Sequence, residues 1–282
     1  MDDKKLIKNQ ETAGITHWSF SAGNRPTASW IYNYVHRSAE DRRNDLVGWN
    51  AVLGTNTHNA AQNILAFGQD ADEAIKQSIT DLQAYPLCED IVKRDKFCEV
   101  LPQMVTHLVD LLKQWGFTRC EAETKIETSL PQINLPIIGF VDLVSDGIFT
   151  EIKTRAPVKT RTLKSGEQGW GKGRIPKEEP EKAHVMQEAL YAYALKMTPS
   201  ITYVSPEEAK IFTPFNCESL KRANLNTSLE DFRQSVLIKQ NLLRLSSDAK
   251  TLASITDPDW QHNYIWNIEP ELLQDAKKLW QI

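Results

Sequence analysis

The sequence lacks most of the features that mark secreted, membrane-bound or metal-cluster proteins. Its four cysteines, at positions 88, 98, 120 and 217, form no CxxC pair and no Cys/His cluster. This spacing provides neither a zinc site nor the ligands of an iron–sulfur cluster, so we expect reduced structural thiols. No apolar run reaches about 18 residues, and the first residues include no apolar segment typical of a secretory leader. We therefore expect a cytoplasmic protein with no membrane partner.

An excess of positive charge is also absent, since 33 Lys and Arg stand against 37 Asp and Glu, a formal net charge of -4. Any surface that binds nucleic acid must then be a local basic patch, because a domain that is basic throughout would have a positive net charge. The segment GEQGWGKG, residues 166–173, ends in Gly173 where a phosphate-binding loop needs Ser or Thr. Nucleotide hydrolysis is therefore excluded.

Hydrophobic periodicity divides the 282 residues into three regions, which we expect to form one structural unit. Residues 1–118 are mostly helical. Residues 119–216 hold short alternating or apolar runs that are typical of strands, then a helix and a hairpin. Residues 217–282 are again helical. The order predicts a mixed α/β sheet core flanked by helices, with helical additions at both ends.

Capping signals locate several of the predicted helices. Asp70 with Glu73 forms a capping pair before one helix, and Gly116 ends the long helix that follows it. Thr227 with Glu230 is expected to begin a further helix, and Pro270 suits the first turn of the last one. Between these helical regions, residues 155–182 lose all periodicity, and we expect a long, mobile, functional loop.

The most informative stretch places Asp142 nine residues before Glu151, with an Asp–Gly turn between two strand-like runs. A hairpin would bring the two carboxylates together, and strand alternation would put Lys153 on the same face as Glu151. We expect this face to be open to solvent. Carboxylates hold Mg²⁺, the metal activates water and polarises a phosphoryl group, and a cation stabilises the developing charge. The pattern therefore predicts phosphodiester hydrolysis, although solvated charges at a strand end match it equally well when taken alone.

Gln187 and Tyr191 stand four residues apart in AHVMQEALYAYAL, so both lie on one face of the helix after the strands. An amide and a phenol can each contact a phosphate. An ordinary amphipathic helix would show the same spacing, and it is the alternative interpretation of this pair.

Taken in order, these motifs resemble those of the RecB-like exonuclease branch of the PD-(D/E)XK nucleases: an upstream His, then GxxD, (D/E)xK and QxxxY. The upstream motif is LGTNTHNAAQNIL, where Gly54 and His58 are expected to open a helix. The resemblance implies a restriction-endonuclease-like fold over about residues 19–215. It also implies that His58 is a metal ligand, and Glu123 lies where relatives often place another acidic residue.

By this resemblance, Mg²⁺ or Mn²⁺ would be held by His58, Asp142, Glu151 and the carbonyl of Ile152. The family's iron–sulfur members have a cysteine arrangement that this chain lacks, so no cluster is expected. The resemblance also implies exonucleolytic digestion of DNA ends, with single strands preferred, in recombination, repair or replication. It favours a phage or bacterial setting and a recombination or replication protein as partner.

The aperiodic segment beside the catalytic strand is rich in cations. We expect it to contact DNA, with basic side chains along the phosphates and an aromatic ring stacked on a base. A solvated loop is the alternative. The candidate contacts are Arg155, Lys159, Arg161, Lys164, Trp170, Lys172 and Arg174.

Two other functions remain open from the sequence: a structure-specific or restriction-type endonuclease, and a binding module with an inactive nuclease core.

Overall fold

We analysed a computed structural model of the chain, in which residues 3–87, 90–262, 266 and 268–281 are described. The chain forms two compact units, each assembled from segments distant in sequence. Unit 1 comprises residues 1–45, 127–139 and 229–282, and unit 2 comprises residues 46–126 and 140–228. The two units therefore do not follow the three sequence regions. Within the described ranges, no helix is long and apolar enough to cross a membrane.

The helices account for most of the residues at both ends of the chain. They are α1 (Asp3–Thr12), α2 (Phe20–Asn24), α3 (Thr27–Trp30), α4 (Ala39–Asn44), α5 (Trp49–Leu65), α6 (Ala71–Ala84), α7 (Ile91–Gln114), α8 (Lys182–Leu195), α9 (Arg222–Leu245), α10 (Ala249–Ala253) and α11 (Pro270–Leu279). A π-helical segment, Ile31–His36, follows α3 directly.

The described residues form two sheets. The larger one has five strands in the order β1-β2-β3-β6-β7, and β4 pairs with β5 in a separate two-stranded sheet. β2 and β3 are antiparallel, β3 and β6 are parallel, and β6 and β7 are antiparallel, so the larger sheet is mixed. The strands are β1 (Glu121–Thr128), β2 (Ile137–Ser145), β3 (Ile148–Thr154), β4 (Val158–Thr162), β5 (Gln168–Gly171), β6 (Thr198–Val204) and β7 (Ala209–Phe212).

The core of unit 2 explains why α5 and α7 cover one face of this sheet. Ile152, Leu143 and Val204 from the strands pack with apolar residues of the two helices in one buried cluster. Side chains alternate along a strand, so Phe149 of β3 points to the opposite face, where its ring meets that of Tyr191 in α8. The predicted fold class, a mixed α/β sheet flanked by helices, is confirmed.

The prediction of an unstructured segment at 155–182 was wrong in part, because residues 158–171 form the β4–β5 hairpin. Gly166 takes φ +88° in its turn. A β-carbon at Gly169 would lie 2.6 Å from the carbonyl oxygen of Arg161, so the two strands approach closely at that position. The strands are short and every residue of β4 is exposed, so the alternation that marks a half-buried strand is absent there.

Two predicted helix starts were also wrong. α9 begins at Arg222, and Thr227 lies inside it, donating its hydroxyl to the carbonyl of Ala223. Gly54 and His58 lie in the interior of α5, which begins at Trp49. A Ser or Thr can bond to the carbonyl four residues back within a helix, so a cap-like spacing does not by itself locate a helix start. The starts predicted at Asp70 and Pro270 are confirmed.

In unit 1, the side chain of Lys239 in α9 is buried, and no carboxylate of the described residues pairs with it. Its ammonium group donates to the carbonyl of Gly23 at 2.7 Å and to the hydroxyl of Ser235 at 2.8 Å. Burial lowers the pKa of Lys239 to about 7. An ordinary lysine titrates near 10.4, so the unfolded chain holds this proton over a range in which the folded chain does not.

We expect wild type to gain stability relative to Lys239→Met as the pH rises from about 7 to about 10. The contribution of Lys239 is fully present above the unfolded pKa and is lost as the pH falls towards the folded pKa. Urea unfolding of both proteins across this range measures the difference. Lys8→Met, which removes an exposed lysine of α1 in the same unit, is the control. Parallel stability curves for wild type and Lys239→Met would contradict the prediction.

Candidate active site

The β2–β3 hairpin brings the two predicted carboxylates together. Asp146 and Gly147 form its turn, with Gly147 at φ +74°. Leu143 pairs with Thr150, so Asp142 and Glu151 stand one residue further along their strands. The backbone amide of Ile152 donates to Asp142 Oδ2 at 2.6 Å. Both carboxylates are buried, at 8% and 7% exposure, rather than lying on the open face that the sequence predicts.

Strand alternation places the ammonium group of Lys153 next to Glu151, as predicted. Lys153 Nζ donates to Glu151 Oε1 at 2.9 Å and to Gln187 Oε1 at 3.0 Å. Gln187 Nε2 donates in turn to Glu151 Oε1 at 2.7 Å and to the Tyr191 hydroxyl at 3.1 Å. The QxxxY pair on α8 thus holds the charged side chains of β3 in one buried network.

His58 joins this group from α5. Its Nδ1 lies 3.5 Å from Asp142 Oδ1. One turn earlier on the helix, a β-carbon at Gly54 would lie 3.0 Å from the hydroxyl of Thr154, so a glycine there lets α5 approach β3 closely. The two residues of the upstream motif therefore have different tasks: Gly54 sets the approach and His58 reaches the carboxylates.

The environments of the two carboxylates move their pKa values in opposite directions. Burial alone would raise the pKa of Asp142, but His58 and the amide of Ile152 lower it below its ordinary value. Burial lowers the pKa of His58, and Asp142 more than reverses this, so the net shift is upward. Burial and the nearby charge of Asp142 raise the pKa of Glu151. The surroundings therefore favour the charged forms of Asp142 and His58 and the neutral form of Glu151.

The donor set fits a divalent cation, although the side chains are not arranged around one. Within the described ranges, no three His, Cys, Asp or Glu residues form a ready ligand group. Glu151 Oε2 and His58 Nε2 are both buried and have no hydrogen-bond partner among those residues. A hard cation accepts carboxylate oxygens, and its charge would favour ionisation of Glu151. Because a ligating His must be neutral, cation binding would compete with protonation of His58.

Three polar residues near this network were not identified from the sequence, or only loosely. Gln62 lies one turn after His58 on α5, and its amide donates to Glu123 at 2.8 Å and to the carbonyl of Asp142 at 3.2 Å. Glu188 is fully buried, and neither of its carboxylate oxygens has a partner among the described residues. Burial and Glu151 raise the pKa of Glu188 well above its ordinary value. A glutamate inside an otherwise apolar stretch of α8 was the available signal for it.

The structure separates the seven DNA contacts predicted within residues 155–182. Lys159 forms an ion pair with Asp90 at the start of α7, and Trp170 is half-buried opposite it in the β4–β5 hairpin. Arg161 and Lys164 are exposed near the turn of that hairpin. The remaining three cations, Arg155, Lys172 and Arg174, line one cavity.

Three comparisons with known proteins bear on the fold. No protein-family model and no curated protein matches the sequence. The structure is similar to that of a protein from Eubacterium rectale described as a "Putative exonuclease", with a TM-score of 0.51 and 9% identity. That alignment covers 87% of this chain and 86% of the other. At this identity the similarity supports the fold alone.

A second solved structure, that of SSO0001, aligns at 16% identity over 77% of this chain and 88% of that chain. The TM-score of this alignment is 0.30.

Proposed function

We propose that the protein is a metal-dependent nuclease of the PD-(D/E)XK type that hydrolyses phosphodiester bonds. The observation that carries the proposal is one cluster of side chains. In it the buried Glu151 is bonded to the half-buried Lys153, and the buried Asp142 lies close to Glu151 and His58. A buried charge network without a functional task would be costly to retain, and perturbed pKa values of this kind cluster at functional sites. The fold similarity to a protein described as an exonuclease is consistent with it.

In this proposal, His58, Asp142, Glu151 and the carbonyl of Ile152 hold Mg²⁺ or Mn²⁺. When bound, the metal would polarise the phosphoryl group of the substrate and lower the pKa of a water molecule. Lys153 orients the attacking water or stabilises the charge that develops on the phosphate. Gln187 and Tyr191 position the substrate. The hydrogen bonds of Gln187 to Lys153, Glu151 and the Tyr191 hydroxyl also keep these groups in place before it arrives.

We further propose that the substrate is DNA with free ends, preferably single-stranded, and that the enzyme acts as an exonuclease. The ordered His, GxxD, ExK and QxxxY motifs support this assignment to the RecB-like branch. Recombination, repair or replication would be the setting, in the cytoplasm of a bacterium or of a phage host. A recombination or replication protein would be the partner.

The test uses end-labelled single-stranded, duplex and closed circular DNA, each with Mg²⁺, Mn²⁺ or a chelator. We expect linear DNA to be degraded from its ends with either metal, circular DNA to survive, and the chelator to stop the reaction. Cleavage of circular DNA would assign an endonuclease instead. If the protein binds DNA but cleaves it with neither Mg²⁺ nor Mn²⁺, it is a binding module with an inactive nuclease core.

A further inference from the structure

A cavity of about 940 Å³ opens at the end of β3, directly after the candidate catalytic residue Lys153. Its walls include Thr154 and Arg155, the β4–β5 hairpin, and the first turns of α5 and α8. A volume of this size lies at the upper end of small-molecule sites, which span roughly 300–1,000 Å³. It is large enough for a nucleotide.

The charge of the cavity is positive. Arg155 stacks over the ring of Tyr203 at 5.0 Å and forms an ion pair with Glu181, so these two charges offset each other. Lys172 and Arg174 also line the cavity, and neither has an ion-pair or hydrogen-bond partner among the described residues. Two uncompensated cations in one concave wall attract an anion.

The backbone holds these two cations at the wall. Gly173 lies between them, and a β-carbon there would be 2.0 Å from the carbonyl oxygen of Arg155. A side chain of any size at this position would push the segment away from the end of β3. Because Gly173 has no side chain, Lys172 and Arg174 stay close to the strand that bears the candidate catalytic residues.

The cavity lies at the end of the strand, β3, that carries Glu151 and Lys153. Arg155 extends the pairing of this strand, since its amide donates to the carbonyl of Val204 at 2.7 Å. Residues two apart in a strand share a face, so Glu151, Lys153 and Arg155 form a row. Arg155, which lines the cavity on this face, is about 6.6 Å, two strand residues, beyond Lys153.

We propose that this cavity binds one nucleotide unit of the substrate strand, with its phosphate on Lys172 and Arg174. The proposal rests on the proposed nuclease function and extends it by giving the strand a second attachment point beside the scissile phosphate. A nucleotide enclosed in this way is separated from a pairing partner. The cavity therefore selects an unpaired strand at this point.

The test measures binding of a labelled oligothymidylate to the Glu151→Gln variant, which keeps the strand intact. Lys172→Gln with Arg174→Gln is added to it and compared with Lys76→Gln with Lys113→Gln, two exposed lysines of α6 and α7. Each phosphate contact contributes about -0.7 to the slope of log affinity against log salt for single strands. We expect the cavity pair to flatten the slope by about 1.4 and the control pair to leave it nearly unchanged.

Equal slopes for the two pairs would overturn the proposal, because only net charge would then matter. The proposal is equally overturned if Arg161→Gln with Lys164→Gln, near the hairpin turn, flattens the slope and the cavity pair does not. Failure of the proposed nuclease function would give a different result. Wild type would then not cleave DNA with any metal, whatever the salt dependence of binding by the variants. With Glu151 intact, the cavity pair should raise KM on single strands and leave kcat close to that of wild type.

Discussion

Replacing Glu151 with Gln should lower metal-dependent cleavage of DNA by at least about 100-fold while the protein remains folded. The change keeps the shape of the side chain and removes the charge that the cation requires. Asp142→Asn and Lys153→Met should have effects of similar size, because they remove the second carboxylate and the ammonium group. Initial rates with end-labelled DNA at saturating Mg²⁺ measure all three.

Stability provides the control for this experiment. Burial raises the pKa of Glu151, so a neutral amide avoids the cost of burying a carboxylate there. The unfolding temperature of Glu151→Gln without metal should therefore be no lower than that of wild type. A fully active Glu151→Gln protein would show that this residue does not hold the metal, and the active-site assignment would fail.

Replacing either residue of the QxxxY pair should lower the cleavage rate less than replacing Asp142 or Glu151. Tyr191→Phe removes only the hydroxyl that accepts from Gln187, and Gln187→Ala leaves Lys153 still bonded to Glu151. Contacts that position other groups typically cost about 10- to 100-fold when lost around a metal site. If either variant is as damaging as Asp142→Asn while metal affinity is normal, then that residue acts on the reacting phosphate directly.

Phe149→Ala should lower the free energy of unfolding by about 3–5 kcal/mol. Phe149 is fully buried in β3, and its ring lies 6.5 Å from that of Tyr191 in α8. Truncation leaves a cavity between the catalytic strand and the helix that carries Gln187. Urea unfolding measures the loss, and cleavage should also fall because α8 is less firmly held.

Phe215→Ala is the matched control, since the same atoms are removed from a side chain that is 87% exposed. This variant should change the free energy of unfolding by no more than about 0.5 kcal/mol. Equal losses at the two positions would mean that Phe149 is not part of the packing between β3 and α8.

Several features of the site could be predicted because they depend on local geometry alone. The Asp–Gly turn determines that Asp142 and Glu151 meet, and the two-residue period of a strand puts Lys153 beside Glu151. The helical period likewise puts Gln187 and Tyr191 on one face. These short-range rules hold whichever elements pack against the hairpin.

Burial, by contrast, was decided only by the tertiary structure. The sequence predicts a solvent-facing pair of carboxylates, but α5 and α8 enclose them, and this reverses the expected ease of ionising Glu151. The same packing leaves both carboxylate oxygens of Glu188 without a hydrogen-bond partner in the described part of the chain, and it brings the amide of Gln62 to the carbonyl of Asp142. The free energy of a buried charge depends on every element around it, and no local pattern contains that information.

By itself, the sequence of this protein determined the order of its elements and the spacing of the acidic, basic and amide side chains, because turns and periodicity are properties of neighbouring residues. The tertiary structure decided that His58 lies beside Asp142 although the two residues are far apart in the sequence. It also decided that residues 158–171 form a hairpin beside a cationic cavity. Both arise from packing between distant segments, where a close approach at Gly54 or Gly173 sets which side chains meet.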